Sequence, residues 1–290
     1  MSSVTSRPHT VYTPIKGGIP PLGDYLRRTW QHREFAMELA RSTLRANNAA
    51  TTLGQVWQML NPILMAGVYY LVWGVLLGRT GNSELDTYPI FSESYLTFLV
   101  GGIFVINFTI RSTLSGAKSV VKAGGLLFNS NFPRIVFPLS AVLTEFFTFL
   151  WMLGAYFIFH VLSGFSIPWT VVLLPWLLLT QALFSLGVVL FFSTVTVYFR
   201  DTSNILPHMT RILFFLSPVL WVPEEARRRI PALAMELNPM VPFLHFWNQV
   251  VNGVVPGTLT FATTAGWAVL ALVVGGLLFL RNEHDFAVRV

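Results

Sequence analysis

Groups that move protons, hold metals or cradle phosphates are scarce in this chain. Its 290 residues include six histidines, thirteen acids, three lysines (Lys16, Lys118, Lys122) and no cysteine. Without thiols there are no disulfides and no thiolate chemistry. A P-loop needs Gly-Lys-Ser/Thr to wrap phosphates in backbone N–H groups, and none of the lysines follows a glycine. No His-Glu-x-x-His and no Asp-x-Asp occurs. Glu283-His284-Asp285 has the donor types of a metal site, but it stands in a short terminal tail, where solvated side chains are the plain expectation. A P-loop ATPase is excluded, a membrane enzyme is disfavoured, and no metal or cofactor is expected in this chain.

Two charges and one knuckle remain. Glu145 and Arg211 interrupt apolar runs. A charge at mid-bilayer costs roughly 2.5–3.5 kcal/mol, so such side chains turn toward protein or water. Glu145 is expected to pair with a cation on a neighbouring helix, and Arg211 either to snorkel or to meet an anion arriving from inside. Residues 129–138, NSNFPRIVFP, combine two prolines and an arginine between long apolar runs, without acid or histidine. Proline restricts backbone, Gly124-Gly125 permits a sharp turn, and Lys118 and Lys122 are spaced to share a helix face. The stretch offers shape and stiffness, not reactive groups.

The elements that hold these residues follow from hydropathy. The chain is 53% hydrophobic and only 11% charged, with mean hydropathy +0.60. Soluble domains carry about 25% charged residues. An all-α polytopic membrane protein is therefore expected. Six spans are predicted at about 61–78, 94–114, 135–162, 171–198, 205–222 and 259–280, each near the ~20 apolar residues needed to cross. Fifteen Lys and Arg fall on the side of the termini, Arg111 among them, and four on the other, Arg79 and the Arg227–Arg229 triplet. The positive-inside rule then puts both termini in the cytoplasm. The net charge of +6 reports these loops, so no nucleic-acid partner is expected. No cleavable signal is visible in the first fifty residues.

Two regions are neither span nor simple loop. Residues 1–50 form a cytoplasmic tail followed by an amphipathic helix from Tyr25 to about Asn47, capped by Asp24 behind Pro20-Pro21. Leu22, Leu26, Trp30, Met37 and Leu44 fall near one side, as in a helix lying in the headgroup layer; a solvated helix packed on a partner is the other reading. Residues 51–290 form the membrane domain, opening with a Thr52–Gln55 capping box and a kink at Pro62. Between spans five and six, 222–257 is apolar but broken by Pro223, Pro231, Pro239, Pro242 and Pro256. Short re-entrant helices dipping into the outer leaflet, or an extracellular cap packed on its own spans, fit that pattern.

Four separated motifs carry a family resemblance: Leu53-Gly54-x-x-Trp57-x-x-Leu60-x-Pro62; Asn131-Phe132-Pro133-Arg134 with Pro138; Phe199-Arg200-Asp201 with Ser217-Pro218-Val219; and Leu237-Asn238-Pro239. In this order, with six spans, the chain resembles the permease subunits of ABC-2-type transporters that export O-antigen and teichoic-acid polysaccharides. It departs from them at Asn47-Asn48, where Arg-Tyr is common, and at His245 and Asn248, where Glu and Arg often stand. An electrostatic network near the outer segment is therefore not carried over.

The resemblance implies a homodimeric permease in the cytoplasmic membrane with two copies of a separate ABC ATPase, which supplies ATP and Mg. Its cargo would be a polyprenyl-pyrophosphate-linked glycan; an actinobacterial galactan is the nearest guess. A coupling element within 115–131 would meet the ATPase, with Lys118, Ser119, Lys122, Leu127, Phe128, Asn131, Phe132, Pro133 and Arg134 as its residues. Spans one and five would line the channel, with Tyr69, Tyr70, Trp73, Phe214, Phe215 and Trp221 as candidates. Arg27, Arg28, Arg33, Arg45 and Arg211 are the candidates for the lipid headgroup. An ABC-2 pump for drugs or lipids shares this fold; a membrane transferase acting on lipid-linked sugars, and a secondary transporter, for which no internal repeat is seen, are the other classes.

Overall fold

A computed structural model of the chain describes residues 21–49, 54, 56–76, 95–124, 133–221, 235 and 237–290. Every regular element among them is helical, as apolar chain without water to bond its backbone requires. Helices α1 (Leu22–Gln31) and α2 (Arg33–Ala49) lead in. The His32 N–H donates to the Arg28 carbonyl at 3.2 Å and the Ala36 N–H to the His32 carbonyl at 3.1 Å, so the pair is nearly continuous. Asp24 does not cap: the helix begins at Leu22 behind Pro21, leaving Asp24 in the first turn, where a carboxylate still favours the positive helix end.

Helix α3 (Val56–Tyr69) runs unbroken through Pro62, and the winding changes later, to a π-helical stretch at Tyr70–Leu76. Thr52 and Gln55 lie outside the described residues. There follow α4 (Tyr95–Ala117), α5 (Ser119–Ala123) and α6 (Val136–Leu162). A 3-10 turn (Trp169–Leu173) leads into α7 (Leu174–Tyr198), and α8 (Thr202–Leu216) comes next. The chain closes with α9 (Met240–Val251), α10 (Thr258–Asn282), a 3-10 turn (Glu283–Asp285) and α11 (Phe286–Arg289).

Four of these helical stretches are long and apolar enough to cross a membrane: α4, α6, Trp169–Tyr198 and Thr258–Asp285. The first expected span is a shorter apolar helix, Leu60–Leu76. The fifth departs from expectation: α8 stops at Leu216, and Ser217 is extended (φ −91°, ψ 148°). Pro218 disfavours helical backbone in the residue before it. At 1.5 Å per residue a 15-residue helix covers about 22 Å, short of the ~30 Å hydrocarbon core.

Helix α4 is the centre of the bundle, with 78% of its apolar window buried against 22% for the last span. Helices α7 and α10 approach backbone to backbone. A methyl group on Gly275 would collide with the Gly187 carbonyl, and one on Gly187 with the Ala271 backbone; small residues let membrane helices approach this far. Several polar side chains inside the bundle are paired across it or bonded to their own helix. Gln181 Nε2 donates to the Val105 carbonyl at 2.7 Å, and the Thr109 and Ser185 hydroxyls meet at 3.2 Å. Thr113, Thr148 and Thr194 donate one turn back to Thr109, Thr144 and Leu190.

Candidate functional site

The expected coupling element begins as a continuation of α4. Ser115, Gly116 and Ala117 still belong to that helix, and Lys118 turns the chain into α5. Val120 and Ala123 bury against Phe137, Leu190, Val197, Phe279 and Phe286, while Lys122 stays exposed. Gly124 takes φ +40°, a left-handed value that favours glycine. Leu127, Phe128, Asn131 and Phe132 lie outside the described residues. Beyond them Pro133 and Arg134 form the turn into α6: the Val136 N–H donates to the Pro133 carbonyl and the Phe137 N–H to Arg134's, both at 3.2 Å.

Arg134 does not reach into solvent. Its backbone N–H donates to Glu283 Oε1 at 2.6 Å, and its guanidinium donates to the Glu283 carbonyl. The expectation of a solvated Glu283-His284-Asp285 tail is thereby corrected for Glu283, while His284 does remain exposed. Tyr198 Oη lies 3.0 Å from Asn282 Oδ1 and 3.2 Å from Asp285 Oδ2, and Phe286 is fully buried. No group of three or more metal-ligating acids, cysteines or histidines occurs among the described residues. His284 pairs instead with Asp285 at 3.2 Å.

The channel candidates divide. Tyr69 stacks on Phe214 with ring centroids 5.5 Å apart, which brings α3 against α8. Tyr70 stacks on Tyr95 at 6.3 Å, and both Tyr70 and Trp73 pack against the core. Phe214 is buried; Phe215, the next residue, is half exposed. Trp221 donates its indole N–H to the Phe215 carbonyl at 3.1 Å. Phe215 is thus the most outward of the six, and the others lie wholly or partly within the protein. Helix α8 also presents Asn204, His208 and Arg211 on its exposed side.

On the N-terminal helices Arg27, Arg28, Arg33 and Arg45 are all exposed. Arg33 lies 5.0 Å over the Trp30 ring and pairs loosely with Glu34 at 3.9 Å. Leu26 and Trp30 are 65% and 69% exposed, whereas Tyr25, Ala36 and Ala40 are buried. The helices therefore rest on the bundle by a narrow strip, and α2 packs on α6. Leu22, Leu26 and Trp30 stay exposed, as suits a headgroup layer, while Met37, Leu39 and Leu44 are half-buried.

At the other end, two of the four motifs meet. Asn238 Nδ2 donates to the Leu216 carbonyl at 3.0 Å and lies 3.2 Å from Ser217 Oγ, while its Oδ1 accepts the Met240 N–H at 2.9 Å. Asparagine thus fastens the broken end of α8 to the start of α9. Residues 222–234 and 236 lie outside the description. Helix α9 itself is deeply buried: the Trp247 ring occupies the space a side chain at Gly101 of α4 would need.

Arg111 is a residue that the charge count puts with the loops. It lies inside α4, where its Nε donates to Glu145 Oε2 at 2.9 Å. This supplies the neighbouring-helix cation expected for Glu145. The signal was the apolar and small run Ser112–Ala117 that follows Arg111, which prolongs the helix beyond it.

No family model matches the chain. Among curated proteins it is 27% identical to the O-antigen export system permease protein RfbA of Myxococcus xanthus over 267 residues, 90% of this chain and 97% of that one. Two proteins of the same name from Klebsiella pneumoniae are 23% identical over 259 and 260 residues, 88% of this chain and 94% of theirs.

Proposed function

Taking the chain as a homologue of the O-antigen export permeases, we propose that it is the membrane subunit of an ATP-driven exporter of a lipid-linked polysaccharide. The observation that carries this reading is end-to-end similarity: nine-tenths of this chain aligns with nearly the whole of a curated permease. The similarity runs over most of the chain rather than over one helix or loop. The protein acts in the cytoplasmic membrane with both termini inside, as a homodimer carrying two copies of an ATPase that binds ATP and Mg.

The cargo is a polyprenyl-pyrophosphate-linked glycan. Its headgroup is drawn in by Arg27, Arg28, Arg33 and Arg45, since each basic residue near an anionic surface contributes about 1 kcal/mol. The path runs along α3 and α8. Asn204, His208, Arg211 and Phe215 form one stripe on the exposed side of α8, at helical spacing. A cation facing lipid at mid-depth costs roughly 2.5–3.5 kcal/mol, so this stripe is better suited to water or to a second copy across a channel. Aromatic rings such as Phe215 contact the C–H faces of sugars without fixing one register. ATP binding on the partner pushes the segment around α5, and contacts that differ between two states open the path.

The test is reconstitution of the permease with its neighbouring-gene ATPase in liposomes. A membrane extract rich in polyprenyl-pyrophosphate glycan should stimulate ATP hydrolysis, and the same extract after pyrophosphate cleavage should not. Stimulation by small amphipathic drugs alone would point to a drug exporter. Export by the isolated permease without the ATPase would defeat the reading.

A further inference from the structure

The residues after α10 are built into the protein at several points. Glu283 and Arg134 clamp each other twice, carboxylate to backbone N–H and guanidinium to backbone carbonyl, across 149 positions of sequence. Tyr25 of α1 is buried close by; burial first, and then the Glu283 charge, push its phenol above its ordinary range, so it stays neutral. Phe286 packs edge-on to Phe279 at 5.1 Å, within the cluster that takes Val120 and Ala123 from α5 and Phe137 from α6. The Arg289 guanidinium sits 4.4 Å over the Tyr198 ring at the end of α7.

We propose that Glu283–Val290 is a brace for the ATPase-coupling element, with Glu283 the residue that positions Arg134 at the return of the loop into α6. This rests on reading 115–134 as the element that meets the ATPase. Without the brace, a push on α5 is passed to α6 through the packing of Val120 and Ala123 on Phe137. With it, α5, the start of α6, the end of α7, α10 and the interface helix α1 move as one block. Solvated residues could not do this; a buried Phe286 and a reciprocal clamp can.

The test uses the full-length permease expressed with its ATPase in cells whose other copy is deleted. Three quantities are read: permease in the membrane, ATPase retained per permease on purification, and surface polysaccharide. Glu283→Ala should leave permease amount unchanged while retained ATPase and surface polysaccharide fall about fivefold or more, the worth of roughly one net hydrogen bond. Glu283→Gln keeps an acceptor oxygen at the same place and should stay within about twofold of the parent. Parental behaviour of Glu283→Ala, or equal loss in both variants, overturns the brace. If Glu283→Ala does not accumulate, Arg289→Gln decides, since it removes the cation over the Tyr198 ring: a two- to threefold loss of retained ATPase supports the brace and no loss overturns it, on the order of an exposed cation–π contact. Replacing Lys118 and Lys122 by Glu tests the underlying reading separately. If those variants keep their ATPase, the coupling reading fails; if they lose it while Glu283→Ala does not, only the brace fails.

Discussion

Arg111 of α4 donates its Nε–H to Glu145 of α6 at 2.9 Å, joining the expected second and third spans within the bundle. Glu145 is 9% exposed and Arg111 33%, so the pair is half shielded. Breaking a buried pair leaves one charge uncompensated, whereas replacing both partners by apolar groups can be neutral. Glu145→Leu should therefore destabilise the protein by about 1–3 kcal/mol, discounted for the partial exposure of Arg111. Adding Arg111→Leu should recover most of that loss. Thermal unfolding of the purified single and double variants in detergent checks it; a double variant no better than Glu145→Leu would mean that the two charges act independently.

Close packing of α7 on α10 gives a sharper contrast. Gly275 faces the Gly187 carbonyl, so Gly275→Ala must separate the helices, at about 1–3 kcal/mol for overpacking. Gly154 on α6 has nothing within 4 Å of where a methyl would stand. There alanine should be neutral or stabilising by up to about 1 kcal/mol from helix propensity. Midpoints of thermal unfolding should move in opposite directions for the two variants.

Much of this was legible in the sequence because apolar runs are long and unbroken. The third span was expected at 135–162, where the helix is Val136–Leu162; the last was expected at 259–280, where the helix is Thr258–Asn282. Backbone hydrogen bonding in an apolar medium leaves little other choice. Local backbone effects were harder to read. Pro62 drew attention as a kink point, and the helix continues through it, but the change of winding at Tyr70 had no such mark in the sequence. Ser217-Pro218 ended α8 early, although the hydropathy continues beyond it. The clamp of Arg134 by Glu283 could not be read at all, because nothing local in either segment points to a partner 149 residues away. Burial of Phe286 is the same kind of fact: a lone aromatic in a tail has no period to follow.

The interface helices carry a prediction that separates charge from packing. Arg27, Arg28 and Arg45 are exposed. Replacing these three by Gln should leave folding unchanged and weaken attraction to an anionic surface by up to about 3 kcal/mol at low salt. Flotation with vesicles containing anionic phospholipid would show the loss for a fragment-free, detergent-exchanged permease as reduced co-migration of anionic lipid. Raising ionic strength should shrink the difference, since the Debye length is only about 8 Å at 0.15 M. Equal lipid retention at low salt would return the helix to a purely protein-packing role.

Arg211 decides whether the outward face of α8 is a path. It is exposed on a helix whose other outward residues include Ile212, Phe215 and Leu216. If that face meets cargo, the guanidinium supplies charge-assisted hydrogen bonds to a passing anion, each about 1.5–3 kcal/mol, or roughly tenfold to a hundredfold. Arg211→Leu should then cut polysaccharide export by about tenfold or more while ATPase retention and thermal stability hold. Arg211→Lys keeps a cation but loses the planar fork that suits phosphate, so it should restore export only in part. Were Arg211 merely snorkelling to the nearer headgroups, leucine at this position would suit the bilayer better and export would continue unchanged. Export assays on the three proteins, at matched membrane levels, distinguish a cation that serves the cargo from one that serves the lipid.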